Sequence, residues 1–351
     1  MAVVGLGAFD CFWDQPDPAR NPRVLWRVPG IGWARPVFDS QAVYFPGAHH
    51  ELVAVDKQSG RVRWSARVPY EPRCFTLDTA ITYGYAATWA AGTVVVMDDG
   101  LFGFDPATGR HRWTWRPPVG CMAEVSWPGS DGQTVYAGAS RGSVYALDGA
   151  TGALRWHGQF LPESAAVAYS PIHADGVVYA AFNVQVAAFP FDSGGVVALD
   201  AATGSRLWIH YFPRAVPGLL PRGTGRVAIA GPLVFAPSDD GIVYALDRTT
   251  GARVWEAAPD GSDRPVAVSG PYVVVGSTTG LLVGLAGQTG AEAWRNGAGS
   301  SVVRLVADSQ FAYAHVGFAQ LAVFDARTRQ LRWSFGSSPA GGTVGMRTCR
   351  P

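Results

Sequence analysis

The chain is poor in charge. Asp, Glu, Lys and Arg make up 16% of its 351 residues, and 28 Lys and Arg against 27 Asp and Glu leave a formal charge of +1. That balance gives no broad field for nucleic acid or an anionic membrane, although a local cluster can still hold a small anion. Cysteine is scarce as well: Cys11, Cys74, Cys121 and Cys349 are scattered with no CxxC spacing. This argues against a zinc site or a disulfide framework and for reduced core thiols. No stretch approaches the roughly 18 uncharged apolar residues that span a bilayer. The first residues lack a basic segment and reach Asp10 early, unlike an export signal, so a cytoplasmic protein is expected. Walker and HExxH motifs are missing, and Val4-Gly-Leu-Gly7 runs into another strand pattern instead of a helix. What is abundant is glycine (43), proline (25) and hydrophobic residues (48%), the composition of a turn-dense, all-β chain.

One pattern recurs: an alternating apolar run, an Asp, a short turn closing on Gly, and a Trp eight residues after the Asp. Seven copies place Asp56, Asp105, Asp148, Asp200, Asp247, Ala286 and Asp325 before Trp64, Trp113, Trp156, Trp208, Trp255, Trp294 and Trp333. Only Ala286 departs at the Asp position. An Asp accepts N–H groups of such a turn, and Gly60, Gly109, Gly152, Gly204, Gly251 and Gly290 supply its positive φ. The Trp closes an outer strand, where its ring packs between layers and its N–H seeks a carbonyl. Trp26 is an eighth candidate, and the seven intervals of 38 to 52 residues between these Trps suit four-stranded blades. The reading is therefore an eight-bladed β-propeller with four-stranded antiparallel blades, one domain over residues 1–351. Residues 1–28 and 342–351 together form the closing blade, so that pairing of the N- and C-terminal strands removes a sheet edge.

The repeated ALDxxTGxxxW hairpin resembles the pyrroloquinoline-quinone-like, tryptophan-docked propeller family over essentially the whole chain. The motif is specific for fold. It is weak for function, because the family includes redox enzymes, assembly scaffolds, sensor domains and small-molecule enzymes. For the quinone-dependent dehydrogenases the resemblance implies an adjacent cysteine pair and a calcium ion held by acidic and amide groups. The chain has no adjacent cysteines, so no cofactor and no metal are expected. For the lipoprotein that assembles outer-membrane barrels it implies export and an acylated cysteine, neither of which is visible.

In a propeller the first strand of each blade runs along the central axis, so ligand chemistry is sought there. Counting nine to fourteen residues past each repeat Trp gives Arg35, Arg73, Glu124, Tyr169, Arg222, Arg264, Arg304 and Arg347. Six of the eight are arginine, whose fork suits carboxylate, phosphate or an enolate oxygen. The alternative is that they point to solvent or pair with Asp78, Asp263 or Asp308. The segment 73–89, with Tyr83 and Trp89, and the segments 183–194 and 211–226 break the blade pattern as surface insertions do. Trp33, Tyr83, Trp89 and Trp127 are the aromatic candidates for such a binding mouth. The leading expectation is a small-molecule enzyme or binder, a cofactor-independent cyclase, isomerase or lyase acting on an anionic or carbonyl-rich ligand. Its arginines would stabilise an oxyanion while Glu124, Tyr169 or His173 moves a proton. A non-catalytic scaffold with a protein partner is the alternative, and a quinone-dependent redox protein the third reading.

Overall fold

The structure, a computed structural model, describes residues 2–3, 8–11, 26–29, 36–47, 50–69, 86–118, 127–161, 166–184, 193–212, 226–238, 241–259, 265–317 and 320–335. Every helix or strand among them is a β-strand. The strands form eight sheets, numbered here in chain order: sheet 1 (2–29), sheet 2 (37–67), sheet 3 (86–115), sheet 4 (129–159), sheet 5 (166–211), sheet 6 (228–257), sheet 7 (266–297) and sheet 8 (302–335). Sheets 2 to 8 have four strands each and sheet 1 has three, all paired in sequence order. This is an all-β arrangement of four-stranded antiparallel sheets, consistent with a propeller.

Sheet 1 differs slightly from its expected bounds. Its strands are Ala2–Val3, Ala8–Cys11 and Trp26–Pro29. The segment 342–351, expected to add its fourth strand, lies outside the described residues.

Packing divides the chain into two units. One contains Met1–Trp13, Val24–Val184 and Val197–Leu207, and the other Asp14–Arg23, Gln185–Val196 and Trp208–Pro351. Within each, the middle strands of a sheet are buried on both faces. Thr93–Met97 and Thr134–Ala139 are buried throughout, which is why they read as continuous apolar runs. The fourth strands bury one face only, as in Leu154–Gln159, where Trp156 and Gly158 are the buried positions. The core lies between successive sheets: Val95, Leu101, Trp113, Val135 and Tyr145 form one cluster of the first unit. Phe235, Trp255, Val273 and Val283 form one of the second.

Six of the repeat Trp residues tie a sheet to the next. The indole N–H donates to the carbonyl that follows the next Asp: Trp26 to Lys57 (3.1 Å), Trp64 to Pro106 (3.0 Å), Trp113 to Gly149 (3.3 Å), Trp156 to Ala201 (2.8 Å), Trp208 to Arg248 (2.9 Å) and Trp255 to Gly287 (2.9 Å). The turn glycine has a second duty beyond its positive φ. Gly109 has φ 72°, and a Cβ placed on it would lie 2.6 Å from the Trp64 ring. The indole lies flat on the glycine, so a side chain there would lift it off.

Candidate functional site

The repeat Asp side chains are engaged within their own turns. In sheet 3, Asp105 Oδ1 accepts the N–H groups of Ala107 (3.0 Å) and Thr108 (2.9 Å) and the Thr108 hydroxyl (2.9 Å). Its Oδ2 accepts Arg112 at 2.6 Å. Asp148 repeats this with Thr151 and Arg155, and both carboxyls are held down to about 2, first by the Arg and then by the Thr hydrogen bonds. Asp325 pairs with Arg332 at 2.7 Å. Sheets 5 and 6 carry Leu207 and Val254 at the Arg position, so Asp200 and Asp247 keep only their turn bonds. A second set, Asp39, Asp131 and Asp308, closes the first hairpins of sheets 2, 4 and 8. Each accepts two N–H groups and the hydroxyl of Tyr44, Tyr136 or Tyr313. Burial and then the neighbouring carboxylate push those tyrosines well above the usual phenol range.

Of the residues expected to form the site, Arg35, Arg73, Arg222, Arg264, Arg347, Trp33, Tyr83 and Glu124 lie outside the described residues. Four others belong to the first unit. Trp89, on Ala86–Ala90, packs 6.0 Å from the Tyr44 ring. Trp127 precedes sheet 4, and its backbone N–H donates to Ser170 Oγ at 3.1 Å. Tyr169 and His173 share the strand Ala166–Ala174, opposite Ala181 and Val178. A bulge between Tyr169 and Ile172, where Ser170 takes φ 41°, shifts the alternation. The two candidate proton carriers therefore point to opposite faces of the sheet. His173 stacks on Tyr136 at 5.8 Å, and its Nε2 accepts the Gly176 N–H at 3.2 Å, a packed and hydrogen-bonded role.

Arg304 belongs to the second unit and pairs across sheet 8 with His315. Burial lowers the guanidinium pKa; burial, with the Arg304 charge second, pushes His315 down to about 4. Arg304 stands four residues before the hairpin closed at Asp308 and Phe311. The same count from the pair Ala230 and Leu233 in sheet 6 reaches Arg226, not Arg222. In sheet 4 it reaches Trp127; in sheet 5, where the bulge adds a residue, the position paired as Arg304 is paired is Tyr169, opposite Ala181. Counting from the Trp thus slipped because the connections before the first strands differ in length, whereas the hairpin that follows is constant. Burial lowers the pKa of Arg226 as it does that of Arg304, and Arg226 has no carboxylate partner among the described residues.

A second cluster arises from the turns joining the middle strands of sheets 2 and 3. His50 Nδ1 lies 2.6 Å from Asp98 Oδ2, and burial raises the Asp98 carboxyl. Beside it, Arg116 Nε meets Asp99 Oδ2 at 2.9 Å, while the buried Asp99 Oδ1 has no partner. His50 has φ 59°. Among the described residues no group of three His, Cys, Asp or Glu is placed to hold a metal ion. The chain has no adjacent cysteine pair, and the described residues offer no acidic cluster that fits a quinone–calcium centre.

Asp-closed turns, glycines lying under indoles and indole-to-carbonyl ties define a tryptophan-docked β-propeller repeat protein. The chain belongs to the pyrroloquinoline-quinone-like repeat family: the family profile described as outer membrane protein assembly factor BamB matches residues 18–181, 97–264 and 239–348. The chain is similar in fold to BamB from Moraxella catarrhalis, with a TM-score of 0.66 and 20% identity over 92% of this chain and 89% of that one. It is also similar to the quinohemoprotein alcohol dehydrogenase ADHIIG from Pseudomonas putida, with a TM-score of 0.67 and 15% identity over 86% of this chain and 66% of that one. A segment is 29% identical over 150 residues to the serine/threonine-protein kinase AfsK of Streptomyces griseus, covering 39% of this chain but only 18% of the kinase. No helix among the described residues is long and apolar enough to cross a membrane.

Proposed function

We propose that the chain is a non-catalytic interaction scaffold, an eight-bladed propeller of one domain whose first blade is completed by residues 342–351. One observation carries this reading: the recurrent polar side chains are spent inside the repeats. Asp105, Asp148 and Asp325 each serve a turn with one oxygen and an Arg with the other. What the repeats leave to solvent is their turns and, on the fourth strands, Val62, Leu154, Val254 and Leu331, each about half exposed. Such surfaces suit a protein partner better than a substrate. The name of the family, an assembly factor, agrees with a scaffold.

The test is site-specific photo-crosslinking in cells, with the reactive group at Val62, Leu154, Val254 or Leu331. A discrete partner captured from one set of positions, and competed by the unlabelled chain, is expected. Absence of any competed product from all four positions would sink the scaffold.

A second reading, the cofactor-independent cyclase, isomerase or lyase, draws on Arg226 and Arg304. Both stand at equivalent registers of sheets 6 and 8, and burial disfavours the charged form of each. An anionic ligand would offset that cost. Thermal stabilisation by a carboxylate or phosphate panel, abolished in Arg226→Ala and Arg304→Ala, is its expected sign; no shift with any compound removes it.

A further inference from the structure

The junction between sheets 7 and 8 breaks the docking rule. Where six repeats place glycine under the preceding indole, sheet 8 has Arg329, with φ 62°. A Cβ at the equivalent glycines would run into the indole. Trp294 lacks the carbonyl bond that six of its counterparts make, and its buried N–H has no partner. The hydroxyl of Ser269, fully buried in the same sheet, is also without a partner.

A groove of about 510 Å³ opens at this junction, lined by Pro271, Tyr272, Ser309, Gln310, Ala326 and Arg327. Ala326 is the counterpart of the residues whose carbonyls receive the other indoles. Tyr272 stands edge-on to Trp294 at 6.3 Å, and its hydroxyl accepts Arg329 Nη2 at 3.1 Å. Arg327 is the one charged residue among those that line the groove. Arg327 is exposed with no carboxylate partner among the described residues. Of the nearby acids, Asp325 is paired with Arg332, while both oxygens of Asp308 are turned to its own hairpin, accepting two N–H groups and the Tyr313 hydroxyl.

We propose that this groove binds a carboxylate carried by an acidic side chain of a protein partner, with Arg327 as its counter-charge and Ser309 and Gln310 as further donors. The assignment rests on the scaffold reading and gives it a partner chemistry.

The test uses the isotopically labelled full chain and follows its indole N–H resonances, with that of Trp294 identified by its loss in Trp294→Phe. Acetylated tetraglutamate is expected to shift the Trp294 signal saturably and leave that of Trp255 in place, while tetraglutamine does nothing. Arg327→Ala should weaken the effect about tenfold, the size of one charged hydrogen bond. A shift that survives Arg327→Ala, equals that given by tetraglutamine or never saturates overturns the site. Succinate acting as strongly as tetraglutamate overturns the protein partner in favour of a free organic acid. Either failure leaves crosslinks at Val62 or Leu154 untouched, so it is distinct from failure of the scaffold.

Discussion

The junctions on either side of sheet 7 use the same parts to different ends. Toward sheet 6, Trp255 lies on Gly290 and donates to Gly287; toward sheet 8, Arg329 stands where the glycine would be and the Trp294 N–H donates to nothing. Sheet 7 also lacks the repeat Asp, yet its turn persists through the Ala286 backbone bonds to Gly290 and Ala291. The Asp is thus dispensable where the glycine remains, but the glycine is not dispensable to the indole tie.

Gly290→Arg would impose the second arrangement on the first. It should lower stability by about 3 kcal/mol or more, through left-handed backbone strain and a lost buried hydrogen bond, read as a fall in the urea midpoint at unchanged slope. An unchanged midpoint would show that the indole is free to move aside without cost. Next in size is the contrast between two identical substitutions. Trp255→Phe strands the Gly287 carbonyl, whereas Trp294→Phe removes an N–H that was never paired, so the first should cost about 1–2 kcal/mol more in equilibrium unfolding. Arg329→Gly should restore the tie, stabilising by about 1 kcal/mol as the strain of a non-glycine turn is relieved. Hydrogen exchange at the Trp294 indole should slow with it.

The smallest effect separates turns with an Arg from those without. Asp105 and Asp148 ionise near 2 when folded against 3.8 for a free Asp. A lowered folded pKa gives stability that is present above the unfolded value and lost as pH falls through the folded one. Stability should therefore drop between about pH 4 and pH 2, by only a fraction of a kcal/mol per pair because these pairs meet solvent. Asp105→Asn with Asp148→Asn should flatten that decline in thermal melts, and a profile that keeps its slope would assign it to other carboxylates.

The repeat made the strand order, the Asp turns and the docking indoles legible, because each depends on residues within one or two turns of chain. Trp26 was readable as an eighth docking indole from its short preceding strand alone. The candidate site was less legible. Tyr169 and Arg304 share one register, each opposite the fourth residue past its hairpin, whereas the same count in sheet 6 gives Arg226 in place of Arg222. Connections before the first strands vary in length, and a slip of one residue exchanges the faces of a strand. The bulge that parts Tyr169 from His173 has no turn residue other than Pro171 to announce it.

By itself the sequence determined what local chemistry governs: an all-β chain, a repeating hairpin, a carboxylate for six of the seven repeat turns and an indole after each. Tertiary structure alone decided which glycine lies under which ring and that Arg329 leaves Trp294 unpaired. It also decided that a groove with an unpaired cation opens there. Those outcomes depend on close approach between sheets some 40 residues apart in the chain, a distance over which no local pattern carries information.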